Sequence, residues 1–138
     1  YSLMKTTSST SYTNTSADPG DQYYYKVVAV SADGATSEYS NAVTCVCDLA
    51  CPTVTISNVE SSGKVKLTWK AVDGATKYEV YRATSKSGTY KRLITTTKTS
   101  LTNTSVTKGK TYYYKVKAIH TKSSANSVYS SIKSVKTK

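Results

Sequence analysis

Phenylalanine is absent from this 138-residue chain, and methionine, tryptophan and histidine occur once each. A serine nucleophile needs a histidine base, so only His120 is available for that chemistry. Acid–base catalysis needs two carboxylates held together near a substrate. From residue 52 onward the acids are Glu60, Asp73 and Glu79, and none has an acidic neighbour by spacing. No glycine-rich phosphate loop occurs; Ser62-Gly63 and Ser87-Gly88 serve turns. No stretch of about 18 apolar residues is present, so no membrane-spanning helix is encoded. A signal-like segment is also missing, which excludes nothing, because the sequence opens inside a repeat unit. Strong helix formers are nowhere clustered.

What is abundant is tyrosine, 13 residues, together with threonine, serine, valine and lysine. β-Branched and aromatic side chains fit a pleated, half-buried surface, so the composition predicts an all-β chain. Charge is uneven. Residues 1–51 carry two lysines against five acids, a net of −3, whereas residues 52–138 carry 17 basic residues against three acids, a net of +14. A cationic region of this kind attracts nucleic acid, an anionic membrane or an anionic wall polymer. Lysine also serves solubility and the protection of sheet edges.

The chain repeats itself. At a constant offset of 89, Thr10 to Ser16 falls on Thr99 to Ser105, Gly20 on Gly109, and Tyr23-Tyr24-Tyr25-Lys26-Val27 on Tyr112-Tyr113-Tyr114-Lys115-Val116. One inserted residue then realigns Tyr39-Ser40 with Tyr129-Ser130. The later copy breaks into seven short strands. The first lies around Val54 to Ser57. In the second, Val65, Leu67 and Trp69 alternate with Lys66, Thr68 and Lys70, a period of two that buries one face. Tyr78 and Val80 continue the buried face, with Glu79 and Tyr81 outward. Tyr90–Ile94 and Lys98–Thr102 are short strands. In the longest strand Tyr112, Tyr114, Val116 and Ala118 point inward, opposed by Tyr113, Lys115 and Lys117. A last strand falls within Ser127–Val135. Seven short strands closely spaced by turns predict a two-sheet sandwich, because each amphipathic sheet must cover its apolar face.

Trp69, the run Tyr78-x-Val80-Tyr81-Arg82, and Gly109-x-x-Tyr112-x-x-x-Val116-x-Ala118 resemble the fibronectin type III module. The last pattern recurs as Pro19-Gly20-x-x-Tyr23-x-x-x-Val27-x-Ala29. The resemblance implies an immunoglobulin-like β-sandwich. One complete seven-strand module, residues 53–138, would follow the C-terminal half of another, residues 1–46, across a cysteine-containing junction at 47–52. It also implies a core of Trp69, Tyr78, Val80, Tyr112, Tyr114 and Val116, with Tyr23 and Val27 in the partial copy, and tyrosine corners at Tyr112 and Tyr23. The richness in lysine, threonine and serine is similar to that of modules found in tandem in secreted or wall-attached proteins of Gram-positive bacteria. No Arg-Gly-Asp occurs, so integrin binding has no support.

The partial copy lacks the strands that should cover Tyr23, Tyr25, Val27 and Ala29, which forfeits roughly 1.5 to 3 kcal/mol for each large apolar residue left uncovered. Either the chain is a piece of a longer modular protein, or another chain supplies the strands, or residues 1–44 pack irregularly on the second copy. Cys45 and Cys47 share a strand face, a poor geometry for a mutual disulfide, and a bridge from either to Cys51 across the turn is sterically easier. Three thiolates also suit zinc, but their spacing matches no zinc knuckle. No metal or other cofactor is expected. Outward Tyr24, Tyr81 and Tyr113, with Lys66, Lys70, Lys115 and Lys117, form a candidate surface for sugars or anionic polymer. Cross-strand pairing with lysine stems over the rings is the structural alternative. Nucleic acid is not an expected ligand. Asn14-Thr15-Ser16 and Asn103-Thr104-Ser105 match a glycosylation acceptor, which in a bacterium means no more than a polar turn.

Three functions fit these residues. The first is a non-catalytic extracellular spacer or adhesive stalk of tandem sandwiches, whose partners are adjacent modules of the same protein. The second is an accessory module of a larger secreted hydrolase that binds carbohydrate or anionic cell-wall polymer. The third is a fibre subunit completed by strands from a neighbouring chain.

Overall fold

The computed structural model describes residues 1–59 and 63–138; Glu60 and the Ser62 of the Ser62-Gly63 turn lie outside the described residues. From Val54 onward the described residues form seven strands, numbered after two short N-terminal ones. They are β3 (Val54–Val59), β4 (Lys64–Trp69), β5 (Lys77–Ala83), β6 (Lys91–Thr96), β7 (Ser100–Asn103), β8 (Thr111–Ile119) and β9 (Lys133–Lys136). The antiparallel pairs build one sheet in the order β3-β4-β7 and another in the order β6-β5-β8-β9. The inward faces of the two sheets meet as a sandwich.

Alternation does what its period demands. Val65, Leu67, Val80, Tyr114, Val116 and Ala118 are 0% exposed, with Trp69, Tyr78 and Tyr112 also buried. Trp69 meets Tyr78 edge-on, ring centroids 5.5 Å apart, and the Tyr78 hydroxyl accepts the Val72 N–H at 2.8 Å. The core residues expected in this region are therefore in place. The last strand starts later than Ser127. Before it, Ser127 and Ser130 use their hydroxyls as well as their backbones against β8, accepting the Ala118 and Val116 N–H groups at 2.9 Å each. A side chain in the ladder displaces the regular backbone pairing, so the strand proper begins at Lys133.

The N-terminal region contains only a two-stranded sheet, β1 (Gln22–Tyr25) with β2 (Val43–Val46). Here two core expectations are corrected: Val27 is 72% exposed and Tyr23 only half-buried. The topology supplies the reason. Among the described residues β6 pairs only with β5, and β7 only with β4. The N-terminal stretches matching β6 and β7 have no such partners and form no strands. β8 pairs with β9 over Thr111–Tyr114 alone, the rest of its length being held by β5. The matching segment, Gln22–Tyr25, is what survives as β1.

Candidate functional site

Two surfaces carry the polar chemistry of the molecule. The first joins the N-terminal region to the sandwich. Gly20 adopts φ +88°, and a Cβ there would collide with the His120 ring, so glycine is what lets the imidazole rest on this backbone. The Lys122 ammonium donates to the Gly20 carbonyl at 2.8 Å and stands 3.6 Å from an Asp21 carboxylate oxygen. That ion pair is exposed on both sides and adds little by itself. The stronger tie is apolar. Leu49, 4% exposed, enters the core beside Gly74, and its N–H donates to the Ala125 carbonyl at 2.8 Å. Pro19 also packs within reach of Gly74.

The anchoring bonds of the two copies coincide. The Tyr112 hydroxyl accepts the Thr107 N–H at 3.0 Å, and the Tyr23 hydroxyl accepts the Asp18 N–H at 2.8 Å. These are the two tyrosine corners. Asn103 donates to the Tyr114 hydroxyl at 2.9 Å and accepts the Ser105 N–H at 3.0 Å; Asn14 makes the same two bonds, at the same lengths, with Tyr25 and Ser16. Ser40 and Ser37 accept from Val27 and Ala29 as Ser130 and Ser127 do from Val116 and Ala118. The two asparagines are thus turn residues that satisfy tyrosine hydroxyls, and Asn103 is buried at 6% exposure.

The second surface is the outer face of the four-stranded sheet. The Lys115 ammonium lies 3.7 Å from the Tyr129 ring centroid, 4.7 Å from that of Tyr90 and 6.0 Å from that of Tyr81. Lys117 approaches Tyr129 at 5.6 Å, and Tyr81 meets Tyr129 edge-on at 5.2 Å. Beside them the Tyr81 hydroxyl donates to Glu79 at 2.7 Å, and Arg92 donates to the other carboxylate oxygen. Burial opposes the charge on Glu79, but the hydrogen bonds from Tyr81 and Arg92, with the Arg92 and Lys117 charges, outweigh it and hold the carboxyl below its ordinary range. Burial and the bond to Glu79 push the Tyr81 hydroxyl far up, and burial with the neighbouring Tyr113 raises Tyr90. The result is a cationic face of tyrosine rings stacked with lysines, held by a carboxylate pinned at its edge.

Residues 54–128 match the family described as PBP1-like, fibronectin3-like domain. The chain belongs to that family. The fibronectin-like sandwich is similar to the crystal structure of an Fn3-like protein from Clostridium thermocellum, at 30% identity and a TM-score of 0.54, over 62% of this chain and 88% of that one. Among curated proteins it is similar to the amylopullulanases of Thermoanaerobacter thermohydrosulfuricus and Thermoanaerobacterium saccharolyticum. Identity is 39% to each, over 69 and 75 residues, which is 49% and 52% of this chain but only 5% and 6% of those enzymes. The chain therefore spans about a twentieth of the length of the curated relatives it matches. The kinship bears out a bacterial, secreted or cell-surface setting.

The expected binding residues do not all share one face of this fibronectin-like module. Tyr81, Tyr113, Lys115 and Lys117 lie on the four-stranded sheet, where the structure gathers them. Lys66 projects from β4, outward on the opposite side of the sandwich, and Lys70 follows that strand. Tyr24 belongs to β1. Tyr90, Arg92 and above all Tyr129 complete the face. Tyr129 lies outside any strand, so no period could mark its direction; the Tyr39-Ser40 match to Tyr129-Ser130 was the one available signal. The three cysteines are free thiols. Cys47 donates weakly to the Ala17 carbonyl and Cys51 to that of Tyr129, each at 3.5 Å, so the two are turned to different elements. Among the described residues no group of three or more His, Cys, Asp and Glu could hold a metal ion, and no helix is long and apolar enough to cross a membrane.

Proposed function

We propose that the chain is a non-catalytic accessory segment of a larger secreted bacterial hydrolase, in which fibronectin-like modules in tandem hold their neighbours at a set orientation. Residues 1–46 are the C-terminal half of one module, 47–52 the junction and 53–138 the next module. The observation that carries this reading is the similarity to two amylopullulanases over a small part of their length. The buried Leu49 and the His120–Gly20 contact support the orienting role, because a linker residue embedded in the core leaves the junction little freedom.

A second reading rests on the clustered Tyr81, Tyr90, Tyr113 and Tyr129 with Lys115 and Lys117. Rings and ammonium groups on one face suit a glycan or an anionic wall polymer, although Lys115 already occupies the rings as an intramolecular partner. Pull-down on insoluble wall polymer and affinity electrophoresis in pullulan separate the two. The orienting role predicts no retardation and an elongated, inflexible scattering profile. Retardation that is abolished in Tyr129→Ala and Lys115→Ala would transfer the function to the tyrosine face.

A further inference from the structure

The outer face of the four-stranded sheet holds its ammonium groups in place. Lys115 and Lys117 are two residues apart on β8, so both point outward on one side. The Lys115 ammonium lies over the rings of Tyr129, Tyr90 and Tyr81, and that of Lys117 over Tyr129 as well. A lysine free on a surface loses rotamer freedom when a ligand fixes it; one already seated on rings has less to lose.

The same contacts decide what can use the rings. A pyranose or a nucleobase binds tyrosine by stacking on an open ring face. Here each of the three rings already has an ammonium over it, and stacking would have to displace Lys115 from its closest partner, 3.7 Å away. Two of the hydroxyls are engaged too: that of Tyr81 donates to Glu79, and that of Tyr90 to the Lys86 carbonyl at 3.2 Å. An anion asks for neither ring face nor hydroxyl. Glu79 stands on the same face, but one of its carboxylate oxygens accepts from Tyr81 and the other from Arg92, which compensates its charge at contact.

We infer that this face binds a flexible polyanion without flat rings, of the class of a polyol phosphate polymer, and that its tyrosines hold the ammonium groups instead of stacking on the ligand; this rests on reading the face as a binding surface. A strand repeats its face every two residues, about six backbone bonds, and a three-carbon polyol phosphate sets successive phosphorus atoms about six bonds apart. Adjacent phosphates of an extended chain therefore match the spacing of Lys115 and Lys117. Lys64 and Lys66 supply the comparison. They repeat that spacing on β4 in the other sheet, where the cross-strand neighbours of Lys66 are Ser57 and Thr102 instead of rings.

The test titrates the full chain with a glycerol phosphate polymer, with pullulan and with single-stranded DNA of matched phosphate number, following amide chemical shifts. The glycerol phosphate polymer is expected to move the Lys115, Lys117 and Tyr129 amides and to bind more tightly than the DNA, with affinity falling as salt rises from about 50 to 200 mM. Lys115→Gln and Lys117→Gln are each expected to weaken binding on the order of tenfold. Lys64→Gln, Lys66→Gln and Tyr129→Phe, which keeps the ring, are each expected to change it by less than about twofold. Equal losses from the two lysine pairs would overturn the inference, leaving charge without a site. Binding of pullulan instead, or of DNA more tightly than of the glycerol phosphate polymer, would overturn it in favour of stacking and leave the binding reading standing. No shift with any of the three probes would overturn both.

Discussion

Val27 and Val116 occupy matching places in two copies of one motif, follow the same Tyr-x-Tyr-Lys run and donate their N–H groups to matching serines, yet one is 72% exposed and the other 0%. The tyrosine corners, the asparagine turns and the strand hairpins agree between the copies, and the burial does not. Hydrogen bonds that close over a few residues, such as Asp18 to Tyr23 and Thr107 to Tyr112, form wherever their local sequence occurs. Burial requires a second sheet, and strands that pair only with absent neighbours do not form at all. The comparison divides the same letters into a locally encoded part and a part that depends on what packs over it.

The most forceful way to probe that division is to remove the paired tyrosines. Tyr114→Ala takes a 0% exposed ring and the partner of Asn103 out of the core, and its unfolding free energy in urea is expected to fall by about 3 to 5 kcal/mol. Tyr25→Ala, its counterpart, is expected to move that transition by less than about 0.5 kcal/mol. Comparable losses for the two would show that the N-terminal region shares the sandwich's cooperative unit.

Leu49 tests the boundary between the two regions. It precedes the first strand of the sandwich yet sits in its core, so Leu49→Ala is expected to cost about 2 to 4 kcal/mol and to loosen the junction. Chemical shifts at His120 and Lys122 would follow the loosening. A stability loss with those shifts unmoved would detach Leu49 from any role in orientation.

The smallest effect is electrostatic and belongs to the sandwich alone. Glu79 has a lowered pKa in the folded state, so at mildly acid pH the unfolded chain binds the extra proton. The contribution of Glu79 is present above about pH 4.5 and is lost as pH falls through its folded pKa. Arg92 is more than half exposed, which keeps the contribution to about 1 kcal/mol or less. Glu79→Gln is expected to flatten this part of the pH profile; an unchanged slope between about pH 3 and 5 would remove Glu79 as its source.

Much of the fold was legible in the residues. Period-two alternation placed Trp69, Tyr78, Val80, Tyr112, Tyr114 and Val116 in the core, where they are. The resemblance put Val27 among the core residues of the partial copy, yet it is 72% exposed, in line with the missing cover over Tyr23, Tyr25, Val27 and Ala29: a strand's period states which way a side chain points and not whether anything meets it. The candidate binding face was half legible. Tyr81, Tyr113, Lys115 and Lys117 were read as outward from their strands, but Lys66 was grouped with them although β4 belongs to the other sheet. Tyr129 was missed because it lies in an irregular segment without a period.

The amino-acid sequence by itself determined the repeat and its register, which are read from the letters at an offset of 89, and the strand periods and short-range hydrogen bonds, which depend on residues near one another along the chain. Tertiary structure alone decided which strands formed, which apolar faces closed, which outward residues met on one side of the sandwich, and that Leu49 from the junction became part of the core. Those outcomes depend on pairing across sequence distance: β8 is long where β5 lies beside it, and its counterpart β1 stops after four residues where no such strand does.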